Sequence, residues 1–180
     1  MVSKKLSIWT IGHSTLSIED FIARLNSFEI QLLADVRSYP GSRRYPHFNK
    51  ENLEPSLAKK GIEYLHFREL GGRRRVRPDS QNVAWRNESF RGYADYMETD
   101  EFQGGIARLL NVASERRTAI MCSEAVWWRC HRRFVADYLL RDGRYVFHLM
   151  APARAEIARM NAAAREDGVS LVYPRIEPLM

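Results

Sequence analysis

The 180-residue chain has little cysteine, little lysine and no long apolar run. Its two cysteines, Cys122 and Cys130, are too few for a disulfide scaffold. No stretch approaches the roughly 20 apolar residues that cross a bilayer, and residues 1–8 lack the apolar segment and cleavage site of a secretory signal. The sequence therefore argues against a disulfide-rich secreted domain and a membrane protein. We expect a cytoplasmic protein with reduced thiols.

Basic residues are in excess and are mostly of one kind. The chain has 28 Lys+Arg against 22 Asp+Glu, a net charge of +6, and 23 of the basic residues are arginine. The planar guanidinium binds phosphate through two parallel hydrogen bonds. With 45% hydrophobic and 11% aromatic residues, the chain has the material for a core and is not wholly disordered. The charge indicates either an ordinary solvated basic surface or a partner rich in phosphate.

Apolar runs alternate with helical segments along the chain, which is typical of an α/β protein. We predict a single three-layer domain over residues 1–180, with a mostly parallel sheet of about five strands flanked by helices. Its core occupies residues 6–150, and residues 151–180 form a C-terminal extension. The strands are predicted at residues 6–11, 30–36, 62–67, 118–122 and 145–150.

The helices are predicted from caps and apolar spacing. Ser17 begins the first helix and Asn49 the second, which ends near Gly61. Further helices are expected at residues 88–99 and 100–115, and from about residue 126 to Leu140. The long segment 68–87 has no clear element and is either functional or mobile. In the extension we predict an Ala-rich helix from Ala153 to Arg165, followed by residues 169–173 as an edge strand or a cover over the core.

Reactive and ion-binding residues follow the predicted strands. The carboxyl ends of parallel strands meet at one sheet edge, where ligands bind in open α/β sheets. We therefore predict a site at this edge, with two sets of residues. The catalytic candidates are His13, Asp35, Cys122, Glu124 and His131. The anion-binding candidates are Ser14, Arg37, Ser42, Arg43 and Arg132.

Several of these residues have two interpretations. Cys122 is either a core residue or a thiolate nucleophile, because a helix start after its strand would lower its pKa and offer N–H groups to an anion. The segment is similar to phosphatase and rhodanese loops, but six residues lie between Cys122 and Arg129, one more than in tyrosine phosphatases. Asp35 at the end of an apolar strand needs a partner, for which Arg37, Arg43 and Arg132 are the candidates.

A metal site is a weaker interpretation of the same segment. The possible ligands are His13, Cys122, Glu124, Cys130 and His131, but the chain has no CxxC pair and no HExxH helix. On the predicted helix, Cys130 and His131 would point about 100° apart, so that both would rarely bind one ion. The prediction therefore includes no metal and no cofactor.

Taken together, these motifs resemble one known family. The chain has Thr10–Ser14, then Asp35–Arg37 with Pro40, Ser42, Arg43 and Phe48, then Leu70–Gly72, and then Cys122–Glu124 with Cys130–Arg132. In this combination and order, over about residues 6–150, the chain resembles domain of unknown function 488. The resemblance implies an α/β domain whose motifs gather at one sheet edge. It implies no particular activity.

Three functions remain open from the sequence. The first is a strand-end pocket for a phosphate-bearing ligand, either a nucleotide or a nucleic acid, with enzymatic activity left open. The second is a nucleic-acid-binding module without catalysis, in which the arginine run 73–77 lies beside Trp85, Phe90 and Tyr93. The third is a redox or metal-binding protein built on Cys122 and Cys130. The sequence does not predict the oligomeric state.

Overall fold

A six-stranded, mostly parallel sheet forms the centre of the molecule. The computed structural model describes residues 6–168 and 170–175. The sheet contains β1 (Ser7–Gly12), β2 (Leu32–Asp35), β3 (Glu63–His66), β4 (Thr118–Cys122), β5 (Tyr145–Ala151) and β6 (Arg154–Ile157). The strand order is β3-β2-β4-β1-β5-β6, and only β6 is antiparallel to its neighbour. The predicted fold class and all five predicted strands are confirmed.

Within the described residues, five α-helices flank the sheet: α1 (Ile18–Asn26), α2 (Lys50–Ala58), α3 (Glu88–Tyr96), α4 (Asp100–Glu115) and α5 (Arg132–Arg141). Ser17 caps α1 as predicted, because its hydroxyl accepts a hydrogen bond from the Asp20 amide. Asn49 occupies the cap position of α2, but its side chain accepts from the Ser42 amide and makes no cap hydrogen bond. No helix in the described ranges is both long and apolar enough to cross a membrane.

Side chains of alternate residues on β1 enter two separate cores. Trp9 and Ile11 pack in a cluster with residues of α1 and α2, such as Phe21 and Leu53. Ile8 belongs to the other cluster, which contains the buried residues of α3, α4 and α5. This alternation is the period of two expected for a strand buried on both faces. The domain therefore has three layers, with two helices on one face and three on the other.

The chain changes direction between β1 and β4, two neighbouring strands. The connection from β1 leads toward β2 on one side, and the connection from β4 leads to β5 on the other. Such a switch point leaves a crevice at the carboxyl ends of the two strands, where open α/β sheets bind ligands. Residues 13–14 and 123–124 stand directly after these two strands.

The prediction for the C-terminal extension was wrong in one respect. Residues 153–165 do not form a helix, because Arg154–Ile157 pair with β5 as the antiparallel strand β6. Pro152 and Ala153 make the tight connection, and Ala153 has the positive φ of 53° that such a turn requires. Two further strands, β7 (Arg165–Asp167) and β8 (Ser170–Val172), form a separate hairpin, so β8 is not an edge strand of the main sheet. Residue 169 lies outside the described residues.

The segment after β4 also differs from the prediction. The expected helix from about residue 126 is instead an irregular loop with one 3₁₀ turn at Trp127–Arg129, and α5 begins only at Arg132. Cys130 has extended backbone angles of −128° and 149°. The side chains of Cys130 and His131 therefore do not diverge as helical neighbours would, and the Cys130 sulfur lies 3.8 Å from His131 Nδ1.

Candidate functional site

A large cleft opens at the carboxyl ends of the parallel strands. Its volume is about 1020 Å³. It takes its walls from the ends of β1 and β4 and from the loops that follow β2 and β3. The predicted site residues that line it are His13, Ser14, Arg37, Ser42, Arg43, Cys122, Glu124 and His131. Asp35 and Arg132 are not among its lining residues, and both are buried beneath it.

Gly12 brings the two central strand ends together. A Cβ atom at this position would lie 1.9 Å from the backbone oxygen of Glu124, so only glycine permits this approach. The amides of His13 and Ser14 then donate to the carbonyls of Cys122 and Ser123, each at 3.0 Å. The loop after β4 is thus attached to the end of β1, which places Glu124 beside His13.

The Asp35 carboxylate is fully buried and holds Arg37. It accepts hydrogen bonds from the Arg37 backbone amide at 3.0 Å, from Nε at 2.9 Å and from Nη2 at 2.6 Å. The Tyr64 hydroxyl donates to the same carboxylate at 2.7 Å. Of the three predicted partners for Asp35, the structure therefore selects Arg37. Burial opposes the guanidinium charge, but the hydrogen bonds that Arg37 donates to Asp35 and the charge of that carboxylate raise the pKa of Arg37.

These hydrogen bonds leave one nitrogen of Arg37 for the cleft. Nε and Nη2 are occupied by Asp35 and by the Phe48 carbonyl at 2.9 Å. Nη1 has one long contact of 3.4 Å with His13 Nε2. Since Nη1 carries two hydrogens, one N–H has no partner among the described residues. Arg37 is 5% exposed and lines the cleft, so this donor is available at the cleft wall.

His13 is a neutral spacer between Arg37 and Phe48. Its Nδ1 donates to the Ser14 carbonyl at 3.0 Å, which leaves Nε2 as the acceptor for Arg37. Its ring stacks on Phe48 at 4.1 Å. Burial and the Arg37 charge lower the pKa of His13 to about 4. Both ring nitrogens are thus engaged, which makes His13 a positioning residue in this geometry.

Four more arginines surround the mouth of the cleft. Arg43, Arg44, Arg73 and Arg129 line it and are largely exposed. Glu124 is the one carboxylate among the lining residues. Ser42 organises the loop that carries Arg43, because its hydroxyl accepts from the Tyr45 amide at 3.0 Å. The cleft therefore has a strong excess of positive charge.

Arg132 supports the loop after β4 from below. It is 1% exposed, and its Nη2 donates to the Glu124 carbonyl at 2.6 Å. Its Nε donates to the Cys130 sulfur at 3.2 Å, and its backbone amide contacts the same sulfur at 3.5 Å. The first amide of α5 thus faces Cys130, which occupies the position where the sequence suggested an anion. In this structure Arg132 positions the loop and Cys130.

Two cysteines and a histidine converge on the floor of the cleft. His131 Nδ1 lies 3.9 Å from the Cys122 sulfur and 3.8 Å from the Cys130 sulfur. His131 Nε2 donates to the Val36 carbonyl at 3.0 Å, which fixes the ring. Gly72 allows this packing, since a Cβ atom there would lie 3.0 Å from Nδ1. We refer to Cys122, Cys130 and His131 as the thiol–imidazole cluster.

The pKa values of the two thiols in this cluster are shifted in opposite directions. Burial opposes ionisation of Cys130, but the hydrogen bond from Cys122 and the charge of Arg132 lower the pKa of Cys130 to about 6. The hydrogen bond to Cys130 and burial raise the pKa of Cys122 to about 12. The sequence left Cys122 as either a core residue or the nucleophile, whereas these pKa shifts favour the thiolate on Cys130.

The arginine run 73–77 is only partly available to a partner. The Arg74 guanidinium lies 3.6 Å from the centre of the Tyr96 ring and donates to the Gly71 carbonyl. Arg77 forms an ion pair with Glu98 at 2.6 Å. The neighbouring Trp85 packs edge-on against Phe134 and Tyr173. Arg74, Arg77 and Trp85 are therefore engaged inside the domain, whereas Arg73 and Arg75 are exposed.

Some site residues had no sequence signal that identified them. Tyr64 belongs to a predicted strand, and nothing in its pattern indicates that its hydroxyl reaches Asp35. Arg44 adjoins the predicted Arg43, and Arg73 stands next to the Gly71–Gly72 pair, so proximity to those motifs was the available signal. Phe90 and Tyr93 line the cleft from α3, which the sequence associated with a separate nucleic-acid surface.

Comparison with known proteins identified one family. The model described as "Domain of unknown function DUF488" matches residues 17–139, which is more than half of the chain. The match includes the motifs after β2, β3 and β4, and it begins after the motif at the end of β1. Neither the search of curated proteins nor the search of solved structures gave a match.

Proposed function

Since the chain belongs to the domain of unknown function DUF488 family, whose description leaves the activity open, we propose a function from its own site. The cleft binds a phosphate-bearing small molecule of the nucleotide type. The observation that carries this proposal is the lining: five arginines, Arg37, Arg43, Arg44, Arg73 and Arg129, stand against one carboxylate. Clefts lined by one sign of charge concentrate ions of the opposite sign.

The arrangement of Arg37 favours phosphate over a general attraction of anions. Asp35 and Phe48 fix the guanidinium in one orientation, and the free N–H on Nη1 faces the cleft. A fixed donor loses little rotamer freedom when it binds an anion, and a charge-assisted hydrogen bond is stronger than a neutral one. The exposed arginines then add charge around the remaining phosphate oxygens.

The size and walls of the cleft favour a small molecule. Ligand pockets usually have volumes of roughly 300–1,000 Å³, and this one is about 1020 Å³. The rings of Tyr45 and Phe90 line it beside the arginines and are partly exposed. Aromatic rings provide stacking surfaces for a base, which is worth about 1–3 kcal/mol per base in nucleic-acid complexes. A nucleotide offers both the phosphate and the base.

Titration calorimetry of the full chain with three probes tests the proposal. Adenosine 5′-monophosphate and inorganic phosphate should bind, and adenosine should bind at least about tenfold more weakly than the nucleotide, because a charged hydrogen bond contributes about 1.5–3 kcal/mol. The variants Arg43→Ala and Arg129→Ala should each weaken binding of the nucleotide about tenfold. Both side chains are exposed, so their loss leaves the fold intact.

The matched control is Lys60→Ala, which removes one positive charge at the opposite end of the sheet, before β3. It should leave binding unchanged, because the charge lies well beyond a Debye length of about 8 Å at physiological salt. Equal weakening by all three variants would reduce the effect to net charge and contradict a specific pocket. Absence of binding by both phosphate-bearing probes would also contradict it.

A nucleic acid is the competing ligand for the same charge. Its binding would fall steeply with salt, by about 0.9 log units per log unit of salt for each phosphate neutralised on duplex DNA. A single-phosphate ligand would show a slope near one. An oligonucleotide could instead bind tightly and with a steep salt dependence. If Arg43→Ala left that binding unchanged and Arg75→Ala abolished it, the binding site would be the run 73–77 and not the cleft. The predicted acid–base roles of Asp35, Glu124 and His131, and the predicted cytoplasmic location, stay predictions.

A further inference from the structure

We propose that the thiol–imidazole cluster is a metal site for a divalent ion of the zinc type, bound by Cys122, Cys130 and His131. The three donor atoms lie within 4.8 Å of one another. The sequence left metal binding at Cys122 and Cys130 as an alternative, although no metal was included among the predicted site residues. The proposed metal site is independent of the phosphate-binding proposal.

The distances between the donor atoms suit a tetrahedral ion. With Zn–S of about 2.3 Å and Zn–N of about 2.0–2.1 Å, two ligands of a tetrahedral site stand roughly 3.6–3.8 Å apart. In the structure, His131 Nδ1 lies 3.9 Å from the Cys122 sulfur and 3.8 Å from the Cys130 sulfur. The two sulfurs lie within 4.8 Å of each other, so an ion can be accommodated with shifts of up to about 1 Å in the ligand positions.

The hydrogen bonds around the cluster hold each donor in its ligating form. A carbonyl only accepts, so His131 Nε2 must carry the proton that it donates to Val36, and the Nδ1 lone pair of the neutral ring faces the sulfurs. Metal-binding histidines usually make such an outer hydrogen bond. The Cys130 sulfur accepts from the backbone amide and from Nε of Arg132, an environment suited to a thiolate.

The cluster is rigid and lies at the floor of the cleft. Cys122 ends the buried strand β4, and Cys130 and His131 precede α5, whose first residue Arg132 is tied to the Glu124 carbonyl. The two sulfurs belong to residues that are 8% and 4% exposed. All three ligands nevertheless line the cleft, so the fourth coordination position would face the ligand-binding space.

The donor set selects the class of ion. Two thiolates and one imidazole are soft to borderline ligands, which favour Zn²⁺ and disfavour Mg²⁺ and Ca²⁺. Three protein ligands with one open position are typical of catalytic zinc sites, and structural sites are closed by a fourth protein ligand. Two thiolates would balance the two positive charges of the ion, and each cysteine that is a neutral thiol before binding would release its proton to the solvent.

The test titrates the reduced full chain with Co²⁺ and then with Zn²⁺. One equivalent of Co²⁺ should give a thiolate-to-metal charge-transfer band and intense visible bands of a tetrahedral ion, and one equivalent of Zn²⁺ should remove them. Cys122→Ser and His131→Gln should each lower the affinity for Zn²⁺ by at least about 100-fold, which is the upper end of the effect of losing an outer hydrogen bond. Both variants are first checked for native circular dichroism.

The matched control is His47→Gln, which changes a histidine outside the cluster whose Nε2 contacts the Leu16 carbonyl. It should leave the cobalt spectrum unchanged. The proposal is overturned if the reduced wild-type chain gives no tetrahedral cobalt spectrum, or if the spectrum survives in both cluster variants. A further outcome would also overturn it. Mass spectrometry of protein purified without reductant would find a Cys122–Cys130 disulfide, and the same protein would still give no Co²⁺ site after the disulfide is reduced. Since these readouts use the metal alone, their failure would leave the phosphate proposal standing.

Discussion

Replacing Asp35 by Asn tests the central structural claim, that a buried ion pair fixes the cleft arginine. The substitution keeps the size of the side chain and removes its charge. One amide oxygen can still accept from the Arg37 backbone and Nε. The new NH₂ group would face Nη2 of Arg37 and the hydroxyl of Tyr64, which now donate to the carboxylate at 2.6 and 2.7 Å. The guanidinium would then be a buried cation without its counter-ion.

The expected loss is large because both partners are buried. Asp35 is 0% exposed and Arg37 is 5% exposed. Removing one partner of a buried ion pair costs about 3–5 kcal/mol, since the remaining charge is uncompensated. That figure is comparable to the whole stability of a marginal domain, which is roughly 5–15 kcal/mol. We therefore expect Asp35→Asn to lower the free energy of unfolding by about 3 kcal/mol or more.

Urea unfolding at neutral pH, followed by circular dichroism, measures this loss. The matched control is Glu63→Gln, because Glu63 also pairs with an arginine, Arg116 at 2.5 Å, but both side chains are substantially exposed, at 46% and 39%. Exposed pairs contribute only about 0–1 kcal/mol. The two variants change the same kind of group at the same sheet, so their difference isolates the effect of burial.

A loss below about 1 kcal/mol for Asp35→Asn would refute the reasoning. It would mean that Arg37 finds another partner or leaves its buried position. The nucleotide titration distinguishes these two cases, because it reports whether Arg37 still reaches the cleft. Retained binding with little loss of stability would remove Asp35 from the positioning role.

Three further predictions concern single residues. Gly12→Ala should destabilise the chain by at least about 1–3 kcal/mol, because the added Cβ would lie 1.9 Å from the Glu124 carbonyl oxygen. The control Gly104→Ala on α4, where a Cβ would meet open space, should stabilise the chain by up to about 1 kcal/mol. Urea unfolding measures both changes. Burial raises the pKa of Asp137 from its ordinary 3.8 to about 6, so its protonated form favours the fold. Its contribution is full below pH 3.8 and is lost as the pH rises through 6, on the order of 2 kcal/mol, and Asp137→Asn should abolish this part of the pH dependence in unfolding measurements. Glu124→Gln should strengthen nucleotide binding roughly threefold in calorimetry, since it removes the carboxylate from the cleft lining, and a weaker affinity would show that Glu124 contacts the ligand directly.

The sequence was sufficient to predict which strand ends surround the cleft but not the position of every candidate residue. His13, Arg37 and Cys122 were expected near one another because each follows a parallel strand, and strand ends meet at one edge whatever their separation in sequence. The structure places all three in one cleft. Whether a charge faces the ligand or the core depends on contacts from distant segments. Arg132 was expected to bind an anion, yet it bonds to Cys130 and the Glu124 carbonyl.

Local propensity failed where a tertiary contact was stronger. The alanines after residue 152 favour a helix in isolation, but β5 offers an unpaired edge two residues away across a tight turn, and Arg154–Ile157 take it. The loop before α5 has a similar cause. Trp127 stacks on His148 of β5 at 4.4 Å, which holds the segment in an irregular path that a helix could not follow. Neither partner is visible from the local sequence.

The path of this loop also explains why the sequence pointed to Cys122 as the candidate thiol, whereas the structure also brings Cys130 into the cluster. On a helix, Cys130 and His131 would diverge, and Cys122 alone would remain as a reactive group. In the extended backbone of Cys130, its sulfur instead turns back toward Arg132 and His131, within reach of Cys122. The contact between Trp127 and His148 prevents a helix in this segment, and it therefore also helps to bring the three residues of the cluster together. Replacing Trp127 by Ala should loosen the loop and weaken Co²⁺ binding while the three ligands are intact, and unchanged binding would show that the bonds from Arg132 and from the His13 and Ser14 amides are sufficient to hold the loop.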